Sequence, residues 1–301
     1  ERADAADAKA LADLRALNRD KLNSADRVTY DTVAFQLEGR QALARFPYGG
    51  TYTAYTLAQR SGAYASVPDF LANRHPIETA ADAEAYLARV DAYAAGIDQD
   101  TERFLAEVEA KAAPPSYILD TTASQLRSQA GADPAQASVV RGLAGRAAAR
   151  GLPPRYAQRA AELFAAKVRP ALGRQITAVE RVRRSAGTDA GVWRLPDGEA
   201  YYAAKLKWFT TTEMTAEEVH QLGLQQVAEL TGQLDGVLRG QGYTSGTVLQ
   251  RLQAINVEPA QVHPNTDEGR AELIATLHAQ IAELGSRLPR VFSRLPKAKV
   301  E

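Results

Sequence analysis

Apolar residues in this chain recur three and four positions apart, and no run of useful length alternates at the period of a strand. Leu11, Leu14 and Leu17 carry the helical spacing through an Ala-, Asp- and Lys-rich start. Tyr30, Val33 and Leu37, with Phe35 beside them, form a second stripe, opened by Asn23 or Ser24 and closed near Arg45. Tyr86, Leu87, Val90 and Tyr93 mark a helix that Thr79 can cap, and Phe104, Leu105 and Val108 mark another over Asp98 to Lys111. Pro114-Pro115 ends it. Leu119 to Ser128 reads as a helix capped by Asp120 or Thr121, and Tyr156 to about Ser185 as a long one that Pro170 kinks or restarts. Leu273, Leu277, Ile281 and Leu284 form a late stripe behind the cap Thr266. The pattern predicts an all-α fold, an irregular array of helices with little or no β structure. No fixed repeat and no sustained heptad appears, which argues against a solenoid or a coiled coil. The chain reads as one helical region over residues 1–301, with residues 150–155 the place where it would subdivide.

Between these stripes lie the breakers. Arg45-Phe46-Pro47-Tyr48-Gly49-Gly50 is loop chemistry, and Thr51 to Arg60 suits either an extended or a helical path. Pro68 precedes a short apolar turn at Phe70 and Leu71. His75 stands before Pro76, which favours extended backbone and a structural role. Gly240 to Gly246 is a Gly-rich turn, and Lys297 to Glu301 turns toward an extended path.

The densest signals fall between Gly191 and Leu224, a run holding both Trp residues, the Met, a Tyr pair and three consecutive Thr. Asp197 can cap a helix reaching Phe209, with Tyr202, Leu206 and Phe209 on its inner face. Thr210 to Thr212 break it, because β-branched residues disfavour helix. Thr215 and Glu218 then read as a capping box, flanked by Met214 and Val219 as a staple. The helix that follows would turn Val219, Leu222, Val227, Leu230, Leu234 and Val237 or Leu238 inward.

This stretch resembles the bacterial family catalogued as domain of unknown function 885. The resemblance rests on Trp193 to Gly198, Tyr201-Tyr202, Thr210 to Thr212, and Glu218, His220 and Gly223. Arg45 to Gly50, His75 to Val90 and Pro264 to Arg270 extend it. It implies a helical, zinc-peptidase-like protein whose H-E-x-x-H motif lies later than Glu301, so that zinc would belong to a full-length protein and not to this part.

Composition narrows the chemistry. Thirty-six basic residues balance thirty-six acidic ones, so no general attraction to nucleic acid or anionic membrane is expected. Absence of Cys excludes disulfides, thiolate metal sites and a Cys nucleophile. No apolar run approaches the roughly 20 residues that span a bilayer. The four His, at positions 75, 220, 263 and 278, never stand four residues apart, so no metal ligand is assigned. Glu217 and His220 give one Glu-x-x-His spacing, where a di-metal bundle needs two. No Gly-x-Ser-x-Gly elbow occurs. The chain begins at Glu1 without Met, which leads us to expect a removed leader and a periplasmic or secreted protein, with a cytosolic site left open.

Two readings follow. In the first, the chain is the N-terminal, groove-forming part of a zinc-dependent peptidase-like hydrolase, inactive alone, with no catalytic residue of its own. Its partners would be a C-terminal catalytic half and a peptide substrate. Tyr201, Tyr202, Thr211 and His220 are the candidate substrate-binding residues, because a Thr break brings two helix ends together there and Tyr offers both a flat face and a polar tip. In the second, the chain is a free-standing helical interaction module.

Overall fold

The computed structural model describes residues 2–49 and 53–295. The Gly pair at Gly50, the start of the Thr51 to Arg60 segment, and the extended reading of Lys297 to Glu301 lie outside them. The fold is all-α, as the periodicity predicts, and among the described residues the β structure is a lone bridge between Ala58 and Ser61. The chain divides into two compact units, residues 1–215 and 216–301. Residues 150–155 lie inside the first, between two of its helices.

The first unit opens with α1 (Arg2–Arg15) and α2 (Ser24–Ala44), which pack on each other. The Asn23 side chain accepts the Asp26 N–H at 2.9 Å and fixes where α2 begins. Then come α3 (Ala63–Asp69), α4 (Ala80–Glu109), α5 (Ser116–Gly131), α6 (Ser138–Ala149), α7 (Arg155–Leu163), α8 (Arg169–Arg183) and α9 (Gly198–Thr210). Thr79 opens α4 with a full capping box: its hydroxyl accepts the Asp82 N–H at 3.2 Å, and the Asp82 carboxylate accepts the Thr79 N–H at 2.8 Å. The Asp82 carboxyl is held below its usual range by these bonds, the Thr79 hydroxyl first.

α4 is the axis of the core. Tyr86, Leu87, Val90, Tyr93, Ile97 and Phe104 lie on one face at three- and four-residue steps, and all are buried in a core where α4 packs chiefly on α7 and α8 and, less extensively, on α3 and α6. Burying one such side chain is worth about 1.5–3 kcal/mol. The two helices expected around Asp98 are therefore one. Nothing breaks the backbone at Gly96 or Asp98, and the apolar face runs on past them.

Three other expectations shift for local reasons. α5 starts at Ser116, directly after the Pro pair, so Asp120 is not a cap; it pairs with Arg183 on α8 at 2.7 Å. Pro68 sits within a helix, α3, and not before a turn. A π-helical segment, Phe70–Arg74, carries that helix onward. A second π segment, Phe164–Val168, joins α7 to α8 just before Pro170. Proline has no N–H to offer the carbonyl four residues back, here Ala166, and the widened turn stands where that bond is missing.

The second unit holds α10 (Ala216–Gly240), α11 (Val248–Ile255) and α12 (Asp267–Arg287). Gly242 and Gly246, at φ 91° and 88°, make the turn between α10 and α11. Thr247 and Gln250 form a capping box on α11, and the Thr266 hydroxyl caps α12 through the Gly269 N–H at 3.1 Å. Arg251 of α11 is buried; it donates to Asp235 of α10 and, at 3.1 Å, to the Tyr243 carbonyl. The expected inner face of α10 is not enclosed. Leu222, Val227, Leu230 and Val237 are exposed and Val219 and Leu234 half-buried, while Leu238 alone is buried. Leu273, Leu277, Ile281 and Leu284 of α12 are exposed as well.

Candidate functional site

The aromatic loop Phe46 to Tyr55 and the segment Val192 to Tyr201, far apart in sequence, meet in a second small core. Phe46, Tyr48, Tyr55, Leu195, Tyr201 and Trp208 are buried together there with Leu43 and Ala112. The Tyr201 ring stands edge-on to Phe46, with centroids 5.2 Å apart at 90°, and 5.2 Å from Tyr48. Its hydroxyl donates to the Thr53 carbonyl at 3.0 Å. The Tyr48 hydroxyl donates to the Pro196 carbonyl, and Arg194 donates at 2.7 Å to both the Tyr55 hydroxyl and the Ala113 carbonyl. Desolvation raises the Tyr201 phenol far above its ordinary value, with neighbouring Tyr48 and Glu107 adding to it. Tyr201 therefore stays neutral and serves as a donor.

α9 enters this core one position away from the expected face. Tyr201 and Trp208 are buried, while Tyr202 and Phe209 are exposed. Trp208 lies over Gly39 of α2, so closely that a Cβ on Gly39 would come within 2.0 Å of its ring, and it stacks on Phe35 at 6.1 Å. The size of its ring and the space at Gly39 set the rotation of α9. Asp197 takes a left-handed conformation, φ 52°, and makes no side-chain cap. The Thr break is confirmed at Thr211, whose φ of 57° ends α9.

Beside this core sits Glu107, which the sequence pattern did not single out. It occupies the inner face of α4 and is 1% exposed. One carboxylate oxygen accepts the Gly49 N–H at 2.9 Å and the Thr56 hydroxyl at 2.6 Å; the other accepts the Thr56 N–H at 3.0 Å. Arg103, one turn back, donates to the Gly49 carbonyl and lies 3.6 Å from Glu107. A buried carboxylate survives because hydrogen bonds and a cation replace its water. Together the pair ties Gly49, within the aromatic loop, and Thr56, just after it, to α4. Gly49 takes φ 70°, where an added Cβ would meet the Thr53 carbonyl at 2.8 Å. Its position in the loop thus demands glycine. The signal for Glu107 was available in the sequence: a carboxylate at a core register of an amphipathic helix needs partners.

A cleft of about 430 Å³ adjoins this clamp and shares Gly49, Thr56 and Arg103 with it; Thr53, Ser61, Ser66, Gln99 and Asp100 supply the rest of its polar lining. Lys205 on α9 is a further group the sequence did not flag. Its ammonium lies 5.4 Å from the Tyr201 ring centre and 6.0 Å from that of Phe209, and burial lowers it to about 8.

The four candidate residues fall in different surroundings. Tyr201 is core and Tyr202 exposed on α9; Thr211 is the exposed end of that helix. His220 is exposed on α10, in the second unit. His75 is buried, and both of its ring nitrogens are engaged. A guanidinium only donates, so Arg89 at 3.0 Å makes Nε2 the acceptor, and Nδ1–H donates to the Pro76 carbonyl at 2.7 Å. Among the described residues, no three His, Asp or Glu side chains stand together as a metal ion would need.

Comparison with known proteins now adds one decisive fact. The model of a family described as bacterial protein of unknown function, DUF885, matches residues 1–301. The chain belongs to that family. A crystal structure described as "the putative lipoprotein from Colwellia psychrerythraea" is similar in fold, with a TM-score of 0.90 at 22% identity. That match covers 98% of this chain and 52% of the other, so the chain spans about half the length of the structure it resembles. Comparison with curated proteins finds no match. In this DUF885 chain the family-like runs Arg45 to Gly49 and Trp193 to Tyr201 are the same segments that build the aromatic core around Tyr201.

Proposed function

We propose that this chain is the N-terminal, groove-forming helical part of a larger peptidase-like hydrolase, and that it carries out no catalysis alone. The observation that carries this reading is the state of α10 and α12. Both are long and amphipathic, yet Leu222, Val227, Leu230, Leu273, Leu277 and Leu284 all stand in solvent. Soluble proteins rarely leave contiguous apolar faces uncovered, and such faces mark a missing partner surface. The greater length of the similar solved structure supports a partner within the same polypeptide.

In this reading Tyr201, Tyr202, Thr211 and His220 contribute to substrate binding, with Tyr201 acting through the loop it holds. Zinc is implied only by the family resemblance, and the described residues do not fit it. His75 has no free nitrogen, and among the described residues no acidic cluster accompanies the other His. Zinc ligands would come from the other half, and no step is derived through the metal. The name of the similar structure, a putative lipoprotein, supports a periplasmic or secreted site. A free-standing interaction module would use the same exposed faces to seat another protein.

The test is to express the polypeptide with the residues that follow Glu301 in its reading frame and assay peptide hydrolysis with and without a chelator. Chelator-sensitive hydrolysis by the longer polypeptide and none by residues 1–301 is expected. In the longer polypeptide, Tyr202→Ala, Thr211→Ala or His220→Ala should lower kcat/KM in at least one case with folding intact. A reading frame that stops at Glu301, or a longer polypeptide without hydrolysis, would favour the interaction module.

A further inference from the structure

Two side chains of the family-like run His75 to Val90 meet at a place that the hydrolase reading leaves without a role. Arg89 Nη1 donates to Nε2 of the buried His75 at 3.0 Å and to the Ala85 carbonyl at 3.2 Å. Both protons of Nη1 are thereby spent. The Nε–H and the two protons of Nη2 remain, and that edge of a guanidinium grips a carboxylate through two parallel bonds. Arg127, Arg159, Arg174 and Arg183 of the same unit already have carboxylates. Arg89 is exposed and forms no ion pair among the described residues.

Beside Arg89 lies an apolar pocket of about 250 Å³. Val67, Phe70 and Leu71 form one wall and Ala92, Tyr93 and Gly96 of α4 the other, while Arg89 adds the carbon stem of its side chain. Phe70, 43% exposed, stands edge-on to His75 with ring centres 6.2 Å apart, so one wall of the pocket also touches the residue that holds Arg89.

The pocket shares Val67 and Gly96 with the polar cleft, so the two adjoin along α4. In the cleft Asp100 and Arg103 carry opposite charges, and the charge of Arg103 acts on Asp100. Gln99 adds a carboxamide, which both donates and accepts. The cleft therefore has no net charge with which to select an ion. It offers donors and acceptors together, and a peptide backbone presents the same mixture in return.

These features in sequence describe one ligand. A carboxylate, an apolar group beside it and amides behind it are the carboxyl end of a peptide. A fatty acid would supply the first two and leave the polar cleft without partners. An inorganic anion would leave the apolar walls in water. From Arg89 to Asp100 α4 runs about 16 Å at the rise of an α-helix, which about five residues of extended chain would span.

We propose that this groove binds the free carboxyl end of a peptide whose last side chain is apolar. The carboxylate meets the Nε–Nη2 edge of Arg89, the last side chain enters the pocket of Phe70 and Ala92, and the preceding amides reach toward Gln99 and Asp100. The site is built from residues of the first unit alone and holds whether or not a hydrolytic half follows. Its failure and the failure of the hydrolase reading are separate results.

The experiment titrates residues 1–301 with N-acetyl-alanyl-alanyl-alanyl-leucine, with its carboxamide, with the same peptide ending in serine, and with isocaproate. Binding is read by calorimetry or ligand-observed NMR. The free acid is expected to bind, and the carboxamide, which lacks the terminal charge, to bind about tenfold more weakly or worse. Serine in place of leucine should weaken the acid by about tenfold as well. Arg89→Gln should bring the acid down to the level of the carboxamide and leave the carboxamide unchanged, a pattern that general loss of structure does not give. Ala92→Glu, at an exposed position of the wall, should abolish binding of the acid, because it fills the pocket and offers Arg89 a carboxylate. Arg127→Gln, whose guanidinium is paired with Glu180, should leave binding unchanged. Equal binding of acid and carboxamide, no saturable binding of the acid, or isocaproate binding as tightly as the peptide would overturn the proposal. The comparison of acid with carboxamide uses the unaltered chain and decides the matter even where Arg89→Gln does not fold.

Discussion

α4 and α10 are written in the same pattern and end in opposite circumstances. One has 30 residues and the other 25, both carry an apolar face at helical spacing, and both begin after a Thr. α4 buries Tyr86, Leu87, Val90, Tyr93, Ile97 and Phe104 among the neighbouring helices α3, α6, α7 and α8. α10 buries Leu238 and leaves Leu222, Val227, Leu230 and Val237 in solvent. Periodicity reports that a face is apolar and where it points. It does not report whether anything covers it, because the covering atoms belong to other parts of the polypeptide or to other molecules. The difference places the stability of residues 1–301 in the first unit.

Truncation of buried side chains should break the symmetry most visibly. Leu126→Ala on α5, fully buried, is expected to cost about 2–5 kcal/mol in chemical denaturation. Leu230→Ala on α10, 59% exposed, should stay within about 0.5 kcal/mol. Equal losses would mean that α10 is enclosed in solution. Next in size is Glu107→Ala, which leaves the Gly49 and Thr56 N–H groups buried without their acceptor and should cost about 3 kcal/mol. A change below about 1 kcal/mol would show that water replaces the carboxylate.

These two sites also show what could be read without coordinates. The helical class, the start of α2 at Asn23, the Thr79 and Thr266 caps and the end of α9 at Thr211 rest on local chemistry, and each holds. The rotation of α9 was missed by one residue because it depends on Trp208 meeting Gly39, a contact between segments far apart. The union of α4 was missed because a polar surface stretch around Asp98 resembled a loop while the inner face continued. Glu107 and Asp100 were missed for a related reason: what distinguishes them from other carboxylates is which partners they have or lack. The resemblance of Arg45 to Gly50 and Trp193 to Gly198 to one family was legible, but their meeting around Tyr201 was not.

Smaller effects sharpen the picture at helix starts. Thr79→Ala should cost about 1 kcal/mol through the α4 capping box. Thr215→Ala, one residue before α10, should cost about the same if it caps that helix. An unchanged midpoint for Thr215→Ala would mean that its hydroxyl does not cap α10.

The smallest expected change has the opposite sign. A carboxyl raised on folding, as burial raises Asp100, favours the folded state below its unfolded pKa and loses that contribution as pH rises through the folded value. Ionised Asp100 therefore costs stability at neutral pH. Asp100→Asn should raise the denaturation midpoint slightly at pH 7, and the gain should close at pH values below the ordinary aspartate range. A midpoint that falls at pH 7 would mean that the charge itself holds the Ala63 N–H.

Amide hydrogen exchange on residues 1–301 tests the contrast between the two units most directly. Exchange through local opening is slow where apolar contacts enclose a helix and fast where they do not. The account predicts that amides in the middle of α4, α5 and α8 exchange only with global unfolding, and that those in the middle of α10 and α12 exchange at least about a hundredfold faster. Equal protection in α4 and α10 would contradict it.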